Sequence, residues 1–326
     1  MTAAAARSPA ADKSAAELIE RFREALERLL PDGERFGLAV SGGPDSVAML
    51  LLAQAAVPDR FEVATVNHGL RPEAAQECEL VARHCKARGL PCTILEVQVA
   101  PGNVQERARE ARYAALAEWA RGRGLGAVAT AHHADDQAET LLMRLNRGSG
   151  VAGLAGVREQ AVWDGSNAGL RVIRPLLGFR RSELAEVVAG VEVARDPSNE
   201  DVRFDRVRIR KALADTPWLD PPTVARSAAH LADAEEALQW ATDRAWSEHV
   251  TIGPDSLRFR PGLPREITMR IVSRAVGAFG DIARGKDVAR LIERLEGGKG
   301  GNLAGVLVTV EDDEWVFRRE PARRAG

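Results

Sequence analysis

Apolar and polar positions alternate along this chain with two different periods. Between Ser14 and Leu30, the residues Leu18, Ile19, Phe22, Leu26, Leu29 and Leu30 recur at helical spacing, with Ser14 and Glu17 placed for a capping box and Pro31-Asp32-Gly33 as the stop. This segment is expected to cover a core. Short apolar runs and amphipathic stretches then take turns: strands at 36–40, 61–67, 92–98 and 126–131, helices at 44–56, 72–88, 103–122 and 134–146. Strict alternation predicts an α/β fold, a parallel sheet with helices on both faces, whose ligands bind beyond the carboxyl ends of the strands. From Pro221-Pro222 a long helix is predicted to run to about His249, followed by strand 257–260, helices 264–278 and 286–296, a turn at Gly297–Gly301 and a hairpin of 306–310 with 314–318. The expected organisation is a disordered tail over 1–15, an α/β domain over 16–215, a helical linker over 216–250 and a small α+β domain over 251–326.

The candidate chemistry falls at strand ends. The first strand leads into Ser41-Gly42-Gly43-Pro44-Asp45-Ser46, then into a helix that is apolar on every side and therefore expected to be buried. Glycine permits the tight bend, proline suits the first helical turn, and the unpartnered amides of that turn with the Ser41 and Ser46 hydroxyls make a seat for phosphate oxygens. Neither G-x-x-x-x-G-K-[ST] nor G-x-G-x-x-G can be read here. A strand–turn–helix corner without a ligand is the bland alternative. The second strand runs out at Asn67-His68-Gly69-Leu70-Arg71, where Gly69 lets the backbone approach a flat base. A solvated loop histidine explains the same residues.

On helix 103–122, Val104, Ala108, Ala111, Ala115 and Trp119 form an apolar stripe flanked by Gln105, Arg109 and Arg112. These arginines either lean toward a cleft or belong to a solvated face. The fourth strand leads into His132-His133-Ala134-Asp135-Asp136-Gln137-Ala138-Glu139. Ala134, Ala138, Leu141, Leu142 and Leu145 are expected to face the core, leaving Asp135, Asp136 and Glu139 on polar flanks, where the helix dipole alone would favour them. Hard carboxylates beside a phosphate seat suit Mg²⁺; no thiol or H-E-x-x-H accompanies them to suit zinc. Further on, Arg147–Gly156 holds four glycines and is expected to be a mobile lid. Arg174-Pro175-Leu176-Leu177 and Asp196-Pro197-Ser198-Asn199 are expected as ordered turns. The stretch Arg203–Lys211 is the densest positive patch; it suits a phosphate backbone, with Phe204 available to stack on a base, or is a charged solvated helix.

Composition narrows this picture only in part. With 326 residues, 45 basic against 47 acidic, any polyanion must be met by local patches. No apolar run reaches the roughly 20 residues that cross a bilayer, and the first fifteen residues lack a signal-peptide core. Cys78, Cys85 and Cys92 are odd in number and lack C-x-x-C spacing, which fits reduced thiols in a soluble cytoplasmic protein.

Taken in order, Ser41–Ser46, Val66–Arg71, Gln105-x-x-Ala108-Arg109-x-x-Arg112-Tyr113, Ala131–Thr140, Arg147-Gly148-Ser149-Gly150 with Gly153-Leu154, Arg174–Leu177 and Asp196–Asn199 resemble the tRNA(Ile)-lysidine synthetase family. The resemblance is strong over about 35–215 and looser beyond, and the chain is too short for the further domain of longer members. It implies a Rossmann-like PP-loop ATPase domain of the adenine nucleotide α-hydrolase type, then a helical linker and a small α+β domain that binds tRNA. It further implies ligation of free lysine to the wobble cytidine of a CAU-anticodon tRNA(Ile), with ATP and Mg²⁺ as cofactors and a homodimer as one permitted assembly. Under this resemblance Ser41, Gly42, Gly43, Pro44, Asp45 and Ser46 hold the diphosphate, and Asn67, His68 and Gly69 lie against adenine. Asp45 and Asp136 hold the metal, His133 or Asp136 takes the lysine proton, and Arg112 meets the α-phosphate or the lysine carboxylate. One departure stands out: Val207 occupies the place of the family's usual asparagine. A cytidine thiolase with the same loop, and a tRNA-binding relative without activity, are the alternatives.

Overall fold

The computed structural model describes residues 9–70, 73–100, 102–165, 169–194 and 205–321. Its strands are β1 (Phe36–Ala39), β2 (Phe61–Asn67), β3 (Cys92–Glu96), β4 (Ala127–Ala129), β5 (Gln160–Trp163), β6 (Leu170–Ile173), β7 (Val250–Ile252), β8 (Leu257–Phe259), β9 (Gly301–Leu303), β10 (Val306–Glu311) and β11 (Glu314–Arg319). The helices are α1 (Pro9–Leu29), α2 (Pro44–Ala56), α3 (Glu73–Lys86), α4 (Val104–Gly122), α5 (Ala134–Asn146), α6 (Val151–Leu154), α7 (Arg181–Val187), α8 (Asp205–Ala214), α9 (Pro221–His249), α10 (Arg265–Phe279) and α11 (Gly285–Glu296). The chain divides into two compact units, Met1–Ala232 and Asp233–Gly326, and the boundary falls inside α9.

In the first unit six strands form one sheet in the order β3-β2-β1-β4-β6-β5. β1 pairs in parallel with both β2 and β4, so successive connections leave β1 toward opposite edges. The crevice between the carboxyl ends of β1 and β4 is therefore the topological switch point, where open α/β sheets bind ligands. The sheet is mostly parallel, but β5 runs antiparallel to β6, an edge hairpin that the alternation did not announce. α2 has no polar face and accordingly lies buried along Ser46–Leu50, packed against α1 and α7. The core it anchors includes Phe22, Leu26, Phe36, Leu38, Met49 and Leu50.

On a second cluster sit Tyr113, Leu116, Ala117, Trp119 and Ala120 of α4, with Val128 and Val172 from the strands. Gly37 belongs here for a steric reason: a Cβ on it would run into the Trp119 ring. The stripe expected on α4 is thus displaced. Val104 is exposed, Ala108, Ala111 and Ala115 are half-buried, and the buried face begins at Tyr113. Leu145 of α5 is also exposed. α1 begins at Pro9, so Ser14 lies within the helix and does not cap it.

The second unit carries an antiparallel sheet in the order β7-β8-β11-β10-β9. Phe259, Ile271, Val272, Val288, Trp315 and Phe317 form its core with α10 and α11. No described helix is long and apolar enough to cross a membrane.

Candidate active site

At the end of β1 the chain turns through Gly42, whose φ of 86° is the left-handed conformation that glycine adopts freely. Close packing adds a second reason. The Gly42 carbonyl accepts the amide of Ala194 at 2.8 Å, and a Cβ there would stand 3.3 Å from the Glu77 carbonyl oxygen. Gly43 is the N-cap of α2, with Pro44 next, and no side chain caps this end. The Ser46 hydroxyl works inside the turn, donating to the Gly43 carbonyl at 2.9 Å and accepting the Ser41 amide at 3.1 Å. It staples the loop. The open amides of the first turn and their dipole remain for an anion.

Across the crevice, β4 delivers His133 as the N-cap of α5. Its Nδ1 accepts the Asp136 amide at 3.3 Å while Asp136 Oδ2 accepts the His133 amide at 3.2 Å, a reciprocal capping box. His133 is fully buried, and its Nε2 has no hydrogen-bond partner. That nitrogen lies 3.5 Å from Asp45 Oδ2 and 3.6 Å from Asp136 Oδ2. Asp135, which does not line the cleft, accepts the amide of Arg181 on Oδ2 at 2.8 Å, with the same oxygen 3.8 Å from His133 Nδ1. His132, whose Nδ1 sits 3.0 Å from the Thr130 hydroxyl, is held neutral. Burial, then the charges of Arg174, Arg206, Arg112 and Arg109, pull its pKa down to about 3.

Glu139 corrects the sequence reading most sharply. It is not on a solvated flank but buried, 1% exposed, under three arginines. Arg181 Nη2 donates to its Oε1 at 2.9 Å, Arg210 Nε to the same oxygen at 2.8 Å, and Arg206 Nε to Oε2 at 2.7 Å. Burial alone would raise the pKa of this carboxyl. The bonds from Arg210 and Arg206 and the charge of Arg181 outweigh it and bring the value to about 2. Arg206 also donates from Nη2 to Asp136 Oδ1 at 2.7 Å. Two cations of the positive patch are thus turned inward to carboxylates and not spread over a surface, and Val207 between them is buried. Arg203, Phe204, Asp196–Asn199 and Arg71 lie outside the described residues.

The resulting cleft has a volume of about 630 Å³. Ser41, Gly43, Pro44, Asp45 and Ser46 line it together with His68, Arg112 and Asp136. His133 supports it from below, and Gly42 is packed behind the loop. Asn67 and Gly69 stand apart from the lining: the Asn67 side-chain Oδ1 accepts the Gly69 amide at 3.1 Å and shapes the turn that presents His68. Arg112 is exposed, with its guanidinium 5.2 Å from the centre of the Tyr113 ring, and Arg109 lies 4.8 Å from the same centre. His132, Tyr113, Arg206 and Arg210, from segments the sequence marks, line the cleft as well, and so does Arg181, which no sequence feature marks. The 206/210 spacing of one helical turn was the available signal; Arg181 offered none. The glycine-rich stretch contains α6 and is held by Arg144, which donates to the carbonyls of Gly153 at 2.6 Å and Gly156 at 3.2 Å.

The PP-loop domain family matches residues 14–216. A tRNA(Ile)-lysidine synthase of Novosphingobium aromaticivorans is 48% identical over 94% of this chain and 94% of its own length. The chain belongs to the tRNA(Ile)-lysidine synthase family. A lysidine synthase of Zymomonas mobilis is 42% identical over 93% of the chain and 94% of its own length, and one of Ruegeria pomeroyi is 39% identical over 94% of the chain and 75% of its own. Among solved structures, a U34-tRNA thiolase of Methanococcus maripaludis with its 4Fe-4S cluster superposes with a TM-score of 0.55 at 16% identity, covering 68% of this chain and 80% of that one. That likeness is one of fold. In this chain Cys78, Cys85 and Cys92 are free, and among the described residues no three His, Cys, Asp or Glu side chains gather as a metal cage.

Proposed function

We propose that this enzyme joins free lysine to the wobble cytidine of a CAU-anticodon tRNA(Ile) at the expense of ATP. The cytosine O2 attacks the α-phosphorus and the bond to the bridging oxygen breaks, leaving adenylated cytidine and diphosphate. The lysine amine then attacks the ring carbon and AMP departs. The observation that carries this reading is the uncapped first turn of α2, open to a cleft that Asp45 and Asp136 enter from opposite sides of the switch point. Both steps build negative charge on phosphate, so the amides of the turn and the arginines of the cleft supply fixed, preorganised stabilisation.

Asp45 and Asp136 fit a magnesium ion that also binds phosphate oxygens. Their Oδ2 atoms converge on one buried histidine nitrogen, and Mg²⁺ commonly takes only one or two carboxylates beside a nucleotide. Bound there, the ion would neutralise the diphosphate as it leaves. The chain's own residues do the rest. His68 faces the adenine, and Arg112 meets the α-phosphate or the lysine carboxylate, with Arg109 behind it. Free lysine is neutral in only about one molecule in 2,500 at pH 7, so its amine must lose a proton in the site. Asp136 is assigned to accept it; His133, whose Nδ1 accepts the Asp136 amide and whose hydrogen therefore sits on Nε2, supports that carboxylate from 3.6 Å. The Asp233–Gly326 unit is assigned to tRNA contact, and the protein to the cytoplasm.

The test is to incubate the full chain with ATP, labelled lysine and tRNA transcripts. Label in the CAU transcript, with AMP and diphosphate formed only when both tRNA and lysine are present, supports the reading. A transcript that binds while ATP stays intact overturns it.

A further inference from the structure

Both oxygens of Asp136 are engaged. Oδ2 accepts the His133 amide at 3.2 Å, and Oδ1 accepts Arg206 Nη2 at 2.7 Å. The carboxylate has lone pairs to spare, but a metal ion at Oδ1 and the Arg206 guanidinium repel one another across that oxygen, while one at Oδ2 shares it only with a backbone amide. The first contact is fixed by the helix backbone as half of the capping box. The second comes from a side chain that is 43% exposed and reaches in from α8. Arg206 is the partner that can yield.

Its other bond shows how. Nε donates to Oε2 of Glu139 at 2.7 Å, a carboxylate that is 1% exposed and also held by Arg181 and Arg210. With Nε kept on this anchor, rotation of the guanidinium releases Asp136 without leaving Glu139 unpaired. Arg206 lines the same cleft as Ser41, Gly43 and Asp45, so the released nitrogen stays in the space that the open amides of α2 border.

We propose that Arg206 stands in for the metal: in the nucleotide-free protein it neutralises Asp136, and on arrival of the metal–triphosphate it yields Oδ1 and turns the same nitrogen to a phosphate oxygen. This rests on the assignment of Asp45 and Asp136 to the metal. Two consequences follow. The bare ion binds poorly because Arg206 competes with it, and metal and nucleotide favour one another because the nucleotide gives Arg206 a new anion.

Manganese binding to the full-length protein tests this, followed by electron paramagnetic resonance with and without α,β-methylene ATP, a non-cleavable analogue. Arg206→Met should bind Mn²⁺ alone about tenfold more tightly than the parent, and Mn²⁺ with the analogue about tenfold more weakly, the scale of one charged hydrogen bond. Arg206→Lys keeps the charge but cannot span Glu139 and Asp136, so it should move both affinities the same way by less; it carries the test if the methionine variant fails to fold. Unchanged or weaker binding of Mn²⁺ alone in the folded variant overturns the proposal. Asp136→Asn separates the two levels. If it loses Mn²⁺–analogue binding while the Arg206 variants do not change, the metal site stands and the stand-in role falls. If it keeps that binding, the metal assignment falls and takes the stand-in with it.

Discussion

The unpartnered Nε2 of His133 lies 3.5 Å from Oδ2 of Asp45, linking the end of β4 to the first turn of α2 across the switch point of the sheet. Two loops far apart in the chain thereby present their carboxylates to one cleft. Replacing Asp45 by Asn removes the charge and leaves the shape. Diphosphate release is expected to fall at least about a hundredfold, the scale of losing one preorganised electrostatic contact, while tRNA affinity changes by less than about twofold. Rapid-quench release and filter binding measure the two. Parallel loss of both would contradict the assignment.

Glu139 is the common counter-ion of Arg181, Arg206 and Arg210, and Glu139→Gln leaves three guanidiniums without it. Breaking a buried ion pair from one side costs about 3–5 kcal/mol, so urea denaturation at neutral pH should show a loss of that order. The pH dependence has a definite sign. Its folded value, about 2, lies below the ordinary 4.5, so the stabilisation is complete above 4.5 and fades as pH falls through 2. The gap between parent and variant should narrow over that window. A loss under about 1 kcal/mol at neutral pH would refute the counter-ion role.

His132 makes a second acid-sensitive contribution. Its folded value of about 3, below the ordinary 6.5, means that the unfolded chain takes up this proton first as pH falls. Stability due to the neutral ring is complete above 6.5 and is lost between 6.5 and 3. His132→Asn should flatten the fall in unfolding free energy between pH 7 and pH 5, measured by urea titration at each pH. An unchanged slope would show that the ring titrates alike in both states.

Gly42→Ala forces a side chain into a left-handed conformation against the Glu77 carbonyl. The cost should be about 1 kcal/mol in stability, with a larger loss in affinity for α,β-methylene ATP, because the displaced turn carries the amides that meet phosphate. Calorimetric titration reads the affinity. An alanine variant that binds the analogue like the parent would show that the turn does not set the site.

The strand–helix alternation was legible because short apolar runs recur between helices of 13 to 19 residues and α2 lacks any polar face. The edge hairpin of β5 and β6 breaks that rhythm by pairing antiparallel, and α7 has only seven residues in which to show a helical period. Of the site, the loop after β1 and the aspartates after β4 could be read because local turn chemistry places them. The ring of arginines could not. Arg181, Arg206 and Arg210 meet Glu139 from 42, 67 and 71 residues away, and no local pattern distinguishes a cation aimed at a buried carboxylate from one aimed at solvent. On α4 the buried face is carried by the large side chains Tyr113, Leu116 and Trp119 and not by the small alanines of the expected stripe.

The most direct test of the central claim is a crystal structure of the full chain with α,β-methylene ATP and magnesium. The β- and γ-phosphates should lie on the amides of Gly43, Asp45 and Ser46, with the ion on Asp45 and Asp136. A triphosphate bound elsewhere, with this corner empty, would contradict the account.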